Sequence, residues 1–111
     1  MATEVYAGNK PIGVVGKTKV ERHLDLCEEL NDIYAKKNAD YGDSFHATYV
    51  EEGMAMPRIR LADKLNRFKK LSRNQNDIQV KTESIRDTLI DLANYAIMTV
   101  LEMDDEKKEN Q

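Results

Sequence analysis

The sequence predicts an all-α fold, a small helical bundle of three main helices that is oligomeric and carries an extended N-terminal arm. Three observations predict it. Only two of the 111 residues are proline, Pro11 and Pro57, so nothing after residue 57 forces a helix to break. Three long stretches between residues 18 and 103 repeat apolar residues at helical spacing, and 33% of the chain is charged, which suits helices with a wet outer side. Three helices in so short a chain leave apolar surface over, and a homodimer or homotetramer would cover it.

Residues 1–17 hold Gly8, Pro11, Gly13 and Gly16, with Val5, Tyr6, Ile12, Val14 and Val15 between them. This composition predicts an extended arm or a short hairpin. The run Gly13-Val14-Val15-Gly16-Lys17-Thr18 invites comparison with a phosphate loop, but the full pattern needs glycine where Pro11 stands. A flexible arm is the simpler reading. The first long helix is expected over 18–38, opened by Thr18 as N-cap with Glu21 completing a capping box. Val20, Leu24, Cys27, Asn31 and Tyr34 share one side, and Leu26, Leu30 and Ile33 widen it into an apolar band. Cys27, the only cysteine, is expected to be buried there as a structural residue.

The segment from Lys36 to His46 concentrates two lysines, an amide, two acids, a hydroxyl, aromatic rings and a histidine around Gly42. Such a loop suits a nucleotide, with Lys37 on phosphate, Asn38 and Ser44 on polar edges and Tyr41 against base or sugar. Equally, Asp40 and Asp43 are turn formers, and Tyr41 and Phe45 could lock the loop onto the core. His46 is a general-base candidate only if it reaches an acid cluster. A short helical or irregular stretch follows at 47–52.

A second helix is expected over 57–72, with Pro57 in its first turn. Leu61, Leu65 and Phe68 form its core face, beside a polar face of Arg60, Asp63, Lys64 and Arg67. Residues 73–78 read as a polar linker. The last helix is expected over 80–103, with Ile85, Leu89, Leu92, Ala96 and Val100 as its apolar stripe. Residues 104–111 read as a frayed polar tail. The expected domains are therefore an arm at 1–17, a helical domain at 18–103 and a tail at 104–111.

A net charge of -3 gives no reason to expect nucleic acid as a direct partner. No stretch has the length of a membrane span and the N-terminus lacks the marks of a signal peptide, so cytoplasmic residence is the default expectation.

Opposite the apolar stripe of the last helix run Glu83, Asp87, Asp91 and Asn94, spaced four, four and three apart. Three like charges stacked on one face repel one another and call for a counter-charge. A hard cation such as Mg2+ is one answer: Glu83, Asp87 and Asp91, completed by Asp63 from the second helix, could supply its oxygens. Glu28, Glu29 and Asp32 are further carboxylates that could join. Lys37, Lys64 and Arg67 would then neutralise a polyphosphate, and a water at the metal would attack phosphorus, with Asp63, Asp87 and Asp91 as the catalytic acids. The other answer is ion pairing across the bundle, such as Asp87 with Arg67, which leaves the same residues without catalysis.

Three motifs in order carry a family resemblance: Lys37-Asn38-x-Asp40-Tyr41-Gly42-Asp43-Ser44-Phe45, then Arg60-Leu61-x-Asp63-Lys64-Leu65-x-Arg67, then Glu83-Ser84-Ile85-x-Asp87-Thr88-Leu89-x-Asp91-Leu92-Ala93-Asn94-Tyr95. Over roughly residues 24–103 the chain resembles the bacteriophage and prophage proteins called nucleotide modification associated domain 1. That family is distantly similar to the all-α nucleoside triphosphate pyrophosphatases, the group of MazG and the dimeric dUTPases. The resemblance implies a nucleotide ligand held by Lys37, Asn38, Tyr41, Ser44, Lys64, Arg67, Asn94 and Tyr95. It further implies Mg2+-dependent cleavage of a nucleoside triphosphate to monophosphate and pyrophosphate by an oligomer. The pattern departs in two places. Thr88 stands three before Asp91, where a pyrophosphatase would carry glutamate, and Arg67 stands where the second helix would carry a second acid. A chain lacking a carboxylate can bind nucleotides without hydrolysing them, so two alternatives accompany the enzyme. One is a binder that sequesters a nucleotide or nucleotide signal or serves DNA-base modification, and the other is a structural or interaction module.

Overall fold

The computed structural model describes residues 3–7, 10–73 and 78–109, with side chains described at 16–40, 42–73 and 83–109. Among the described residues four helices follow a short hairpin: β1 (Thr3–Ala7), β2 (Lys10–Val15), α1 (Lys19–Tyr41), α2 (Ser44–Glu52), α3 (Ala55–Arg73) and α4 (Ile78–Glu109). From α1 onward every element is helical, as the all-α reading expects. Of the linker expected at 73–78, Arg73 instead ends α3 and Ile78 begins α4, and residues 74–77 lie outside the described residues. No helix among the described residues is long and apolar enough to cross a membrane.

The chain divides into two compact units, residues 1–35 and 36–111. In the first, β1 and β2 pair antiparallel from Thr3 opposite Val15 to Ala7 opposite Lys10, with a shift of register between Val5 and Tyr6. The capping box of α1 is formed as the sequence indicates. Thr18 Oγ1 accepts from the Glu21 N–H at 3.1 Å, and Glu21 Oε1 accepts from the Thr18 N–H at 3.0 Å. Lys17 adds an ion pair with Asp25 one turn further. The apolar band of α1 is open along this stretch, with Val20 80% and Leu24 59% exposed, and burial begins at Leu30. Cys27 is consequently exposed, its Sγ 3.7 Å from His23 Nδ1, and not the buried structural thiol its leucine neighbours suggest.

In the second unit, Gly42 closes α1 at φ 67 and its N–H donates to the Asn38 carbonyl at 2.8 Å. Asp43 immediately caps α2, its Oδ1 accepting from the His46 N–H at 3.2 Å. The stretch expected at 47–52 as short helical or irregular is a short helix that begins at Ser44, so four helices are described where three main ones are expected. Gly53, at φ 64, ends α2 with an N–H bond to the Tyr49 carbonyl at 2.7 Å. A side chain at either glycine would meet no atom, but a positive φ resists any residue with a Cβ. α3 then starts two residues earlier than expected. Pro57 sits in its first turn, where a missing N–H leaves no helical bond unmade, and is fully buried.

α4 continues through 104–109, so the acids and lysines expected as a frayed tail extend the helix. At about 1.5 Å per residue, its 32 residues span roughly 48 Å. Its buried line differs from the apolar stripe of the sequence reading. Thr88, Ile90, Thr99 and Glu102 are buried, whereas Leu89 is 40% and Val100 53% exposed. The threonines can enter because each satisfies its own hydroxyl: Thr88 Oγ1 donates to the Ser84 carbonyl and Thr99 Oγ1 to the Tyr95 carbonyl, both at 2.7 Å. On α3, Leu61 and Phe68 are half-buried as a core face should be, while Leu65 is 41% exposed.

Candidate functional site

Two contacts fix how α3 lies on α4. Lys64 Nζ is 3.0 Å from Asp91 Oδ2, and Arg67 Nε donates to Thr88 Oγ1 at 3.3 Å. Three residues forward on α3 correspond to three backward on α4, so the helices run antiparallel with these side chains along their seam. The end of α1 supplies a third group, Lys37, whose Nζ is 3.6 Å from Asp91 Oδ1. One carboxylate, 29% exposed, therefore faces two ammonium groups from two other helices, one at each oxygen. Lys64 is 28% exposed and Lys37 64% exposed, so the contact of Lys64 is the more enclosed and that of Lys37 the better screened by water.

One helical turn past Asp91, Tyr95 stacks on Phe45 of α2 with ring centroids 6.1 Å apart and planes 25° apart. Both rings are half-buried, so each keeps some surface open to solvent. Offset stacking of this kind suits the ring quadrupoles and ties the start of α2 to α4.

The remaining residues of the sequence reading are more dispersed. Asp63, Glu83 and Asp87 are exposed, and Asn94 is half-buried. Among the described residues no group of three or more His, Cys, Asp or Glu side chains is disposed to hold a metal ion. Asn38 and Ser44 are exposed and take part through their carbonyls, Ser44 accepting from Thr48 Oγ1 at 3.0 Å. The Tyr41 side chain lies outside the described residues. In the other unit, Glu28 and Asp32 are exposed and Glu29 is half-buried.

His46 does not meet the acid stripe at Asp91. It pairs with Glu102, Nδ1 to Oε2 at 2.7 Å, about 16 Å further along α4 by helical rise. The hydrogen bond and charge of Glu102 hold the His46 pKa above its ordinary 6.5, helped by Asp43 and Glu109. Beside it Tyr49 is buried, which raises its phenol pKa, as do Glu106 and Glu102. Because the folded His46 pKa lies above the unfolded one, this pair's stabilisation is complete below the unfolded value. It is lost as pH rises through the raised folded value. Urea midpoints measured from pH 5 to 9 should therefore decline across that window, and His46→Gln should flatten the decline. An unchanged slope in the variant would refute this role for His46.

Sequence reasoning missed Thr88 and Glu102 as buried residues because both are polar on a helix with an obvious apolar stripe. The signal that could have found them is their spacing: Thr88, Asp91, Tyr95 and Glu102 recur at three, four and seven, a second helical stripe.

The family model described as nucleotide modification associated domain 1 matches residues 37–103. The chain belongs to that family. The match begins at Lys37 and contains Lys64, Arg67, Thr88, Asp91, Phe45 and Tyr95, so every side chain of the seam lies within the nucleotide modification associated domain. Comparison with curated proteins and with solved structures gives no match.

Proposed function

We propose that this protein is a nucleotide-binding module in phage or prophage nucleotide modification, which holds a nucleotide without hydrolysing it. The observation that carries the reading is the convergence of Lys37 and Lys64, from two helices, on Asp91 of a third. Ammonium groups so gathered suit a phosphate, because they act as charged donors on a framework already in place. Arg67 on the same seam adds a guanidinium. Family membership supports a nucleotide as the ligand. Binding alone suits a subunit that sequesters a nucleotide or nucleotide signal, or that presents one to a base-modifying enzyme.

Mg2+-dependent pyrophosphohydrolysis, of the kind MazG-like proteins carry out, would use Asp63, Glu83, Asp87 and Asp91. It requires Asp91 to give up ammonium partners at 3.0 and 3.6 Å and turn its oxygens to a cation. The same proposal takes the protein as a homo-oligomer. On α4 Leu89, Ile97, Val100, Leu101 and Met103 are each 40% or more exposed, a face that a second copy would cover.

The test incubates the protein, with its oligomeric mass fixed by light scattering, with canonical and modified nucleotides carrying one to three phosphates, plus Mg2+. Retained and released species are read by mass spectrometry. Retention of an unaltered nucleotide is expected. Conversion of a triphosphate to monophosphate and pyrophosphate would overturn the binding-only reading in favour of the enzyme.

A further inference from the structure

Resting on the nucleotide-binding reading, we infer that the ligand is a nucleoside monophosphate whose phosphate replaces the Asp91 carboxylate on Lys37 and Lys64 while its base lies against the Phe45–Tyr95 pair. The structure supplies both ends of such a ligand. Tyr95 follows Asp91, the carboxylate the two lysines share, by one turn on α4, about 6 Å along the helix axis. That is the scale of a sugar separating a phosphate from its base, so the phosphate on the lysines would be the one bonded to the sugar.

The charges agree. Lys37, Lys64 and Arg67 set against Asp91 leave two positive charges on the contacting groups. A phosphomonoester carries about -1.5 to -2 near neutral pH and meets that surplus. A triphosphate carries more, and its excess would lie along the stripe of Asp87 and Glu83, which are exposed on the same helix face.

Asp91 then has a defined role as the resident anion. It holds the lysines in place when no ligand is bound and competes with the phosphate for them. Lys37, further away at 3.6 Å and more exposed, is the lysine that changes partner first. The carboxylate thus sets the affinity as well as the preorganisation of the site, and removing its charge frees both lysines for phosphate.

Calorimetric titration of the full chain, in EDTA and again in Mg2+, uses the four deoxynucleoside monophosphates, their triphosphates, the unphosphorylated nucleosides and inorganic phosphate. Monophosphates are expected to bind about tenfold or more tightly than either triphosphates or nucleosides, the effect of one charge-assisted contact. Asp91→Asn is expected to tighten monophosphate binding, and Tyr95→Ala to weaken it while leaving inorganic phosphate unchanged. Phe45→Leu repeats the ring test should Tyr95→Ala not fold. Preference for triphosphates, or loss of binding in Asp91→Asn, would overturn the monophosphate assignment and leave nucleotide binding standing. Ring variants that bind monophosphates as well as the wild type would overturn the base platform. Failure of every nucleotide in both buffers would overturn the nucleotide-binding reading itself.

Discussion

Thr88→Glu is expected to destabilise the protein by more than about 3 kcal/mol, the scale of an unpaired charge forced into the interior. Thr88 is 2% exposed at the seam of α3 and α4, where its hydroxyl donates to the Ser84 carbonyl and accepts from Arg67 Nε. A glutamate there must lose both bonds, find room for two more heavy atoms and bring a charge out of water. Arg67, already on the Thr88 hydroxyl, is a cation at hand, and a longer side chain set against it would press the two helices apart. Thr88→Val keeps the shape and removes the hydroxyl, so it should cost about 1 kcal/mol. Urea denaturation of the two variants measures the contrast directly. A Thr88→Glu protein as stable as the Thr88→Val protein would show that position 88 can face an open groove. The result bears on mechanism, because this is the position at which a pyrophosphatase pattern calls for glutamate. In this fold the position belongs to the core.

The fold was legible where local chemistry decides it. Thr18 and Glu21 announce the start of α1, Gly42 and Asp43 mark the turn into α2, and Pro57 marks the first turn of α3. These are signals that a few neighbouring residues carry without help from the rest of the chain. The buried side of α4 was not legible, because hydrophobic periodicity assigns the core to Leu89 and Val100 while Thr88, Ile90, Thr99 and Glu102 are the buried residues. A threonine that bonds its own helix four residues back behaves as a small, satisfied, nearly apolar residue, and no pattern of hydropathy registers that. His46 failed in the same way: its partner stands 56 residues away, a separation that only tertiary packing closes. Of the site, the residue types were visible in the sequence and their pairing was not. The spacing of Asp87 and Asp91 suggested neighbours on one cation, whereas the packing gives Asp91 to two lysines and leaves Asp87 exposed.

Replacing Lys64 by methionine is expected to weaken nucleotide binding by about 10- to 100-fold, the loss of one charge-assisted contact of about 1.5–3 kcal/mol. Lys37→Met should weaken it less, by about fivefold or under, although both lysines touch the same carboxylate. The difference lies in how each is held. Lys64 rises from the middle of α3, is 28% exposed and sits 3.0 Å from Asp91, so its ammonium is held where the proposed phosphate would replace the carboxylate. Lys37, 64% exposed and 3.6 Å away near the end of α1, must give up more side-chain freedom for a weaker, better-screened contact. Methionine preserves the length and apolar stem of either lysine, which separates charge from packing. Neither variant should lose more than about 1 kcal/mol of folding stability, since Asp91 is part-exposed and keeps one partner in each. Affinity ratios from titration, set beside urea midpoints, decide the matter. If Lys64→Met lowers stability as much as it lowers affinity, the lysine is a structural counter-ion to Asp91. If affinity falls with stability unchanged, its charge is directed at the ligand.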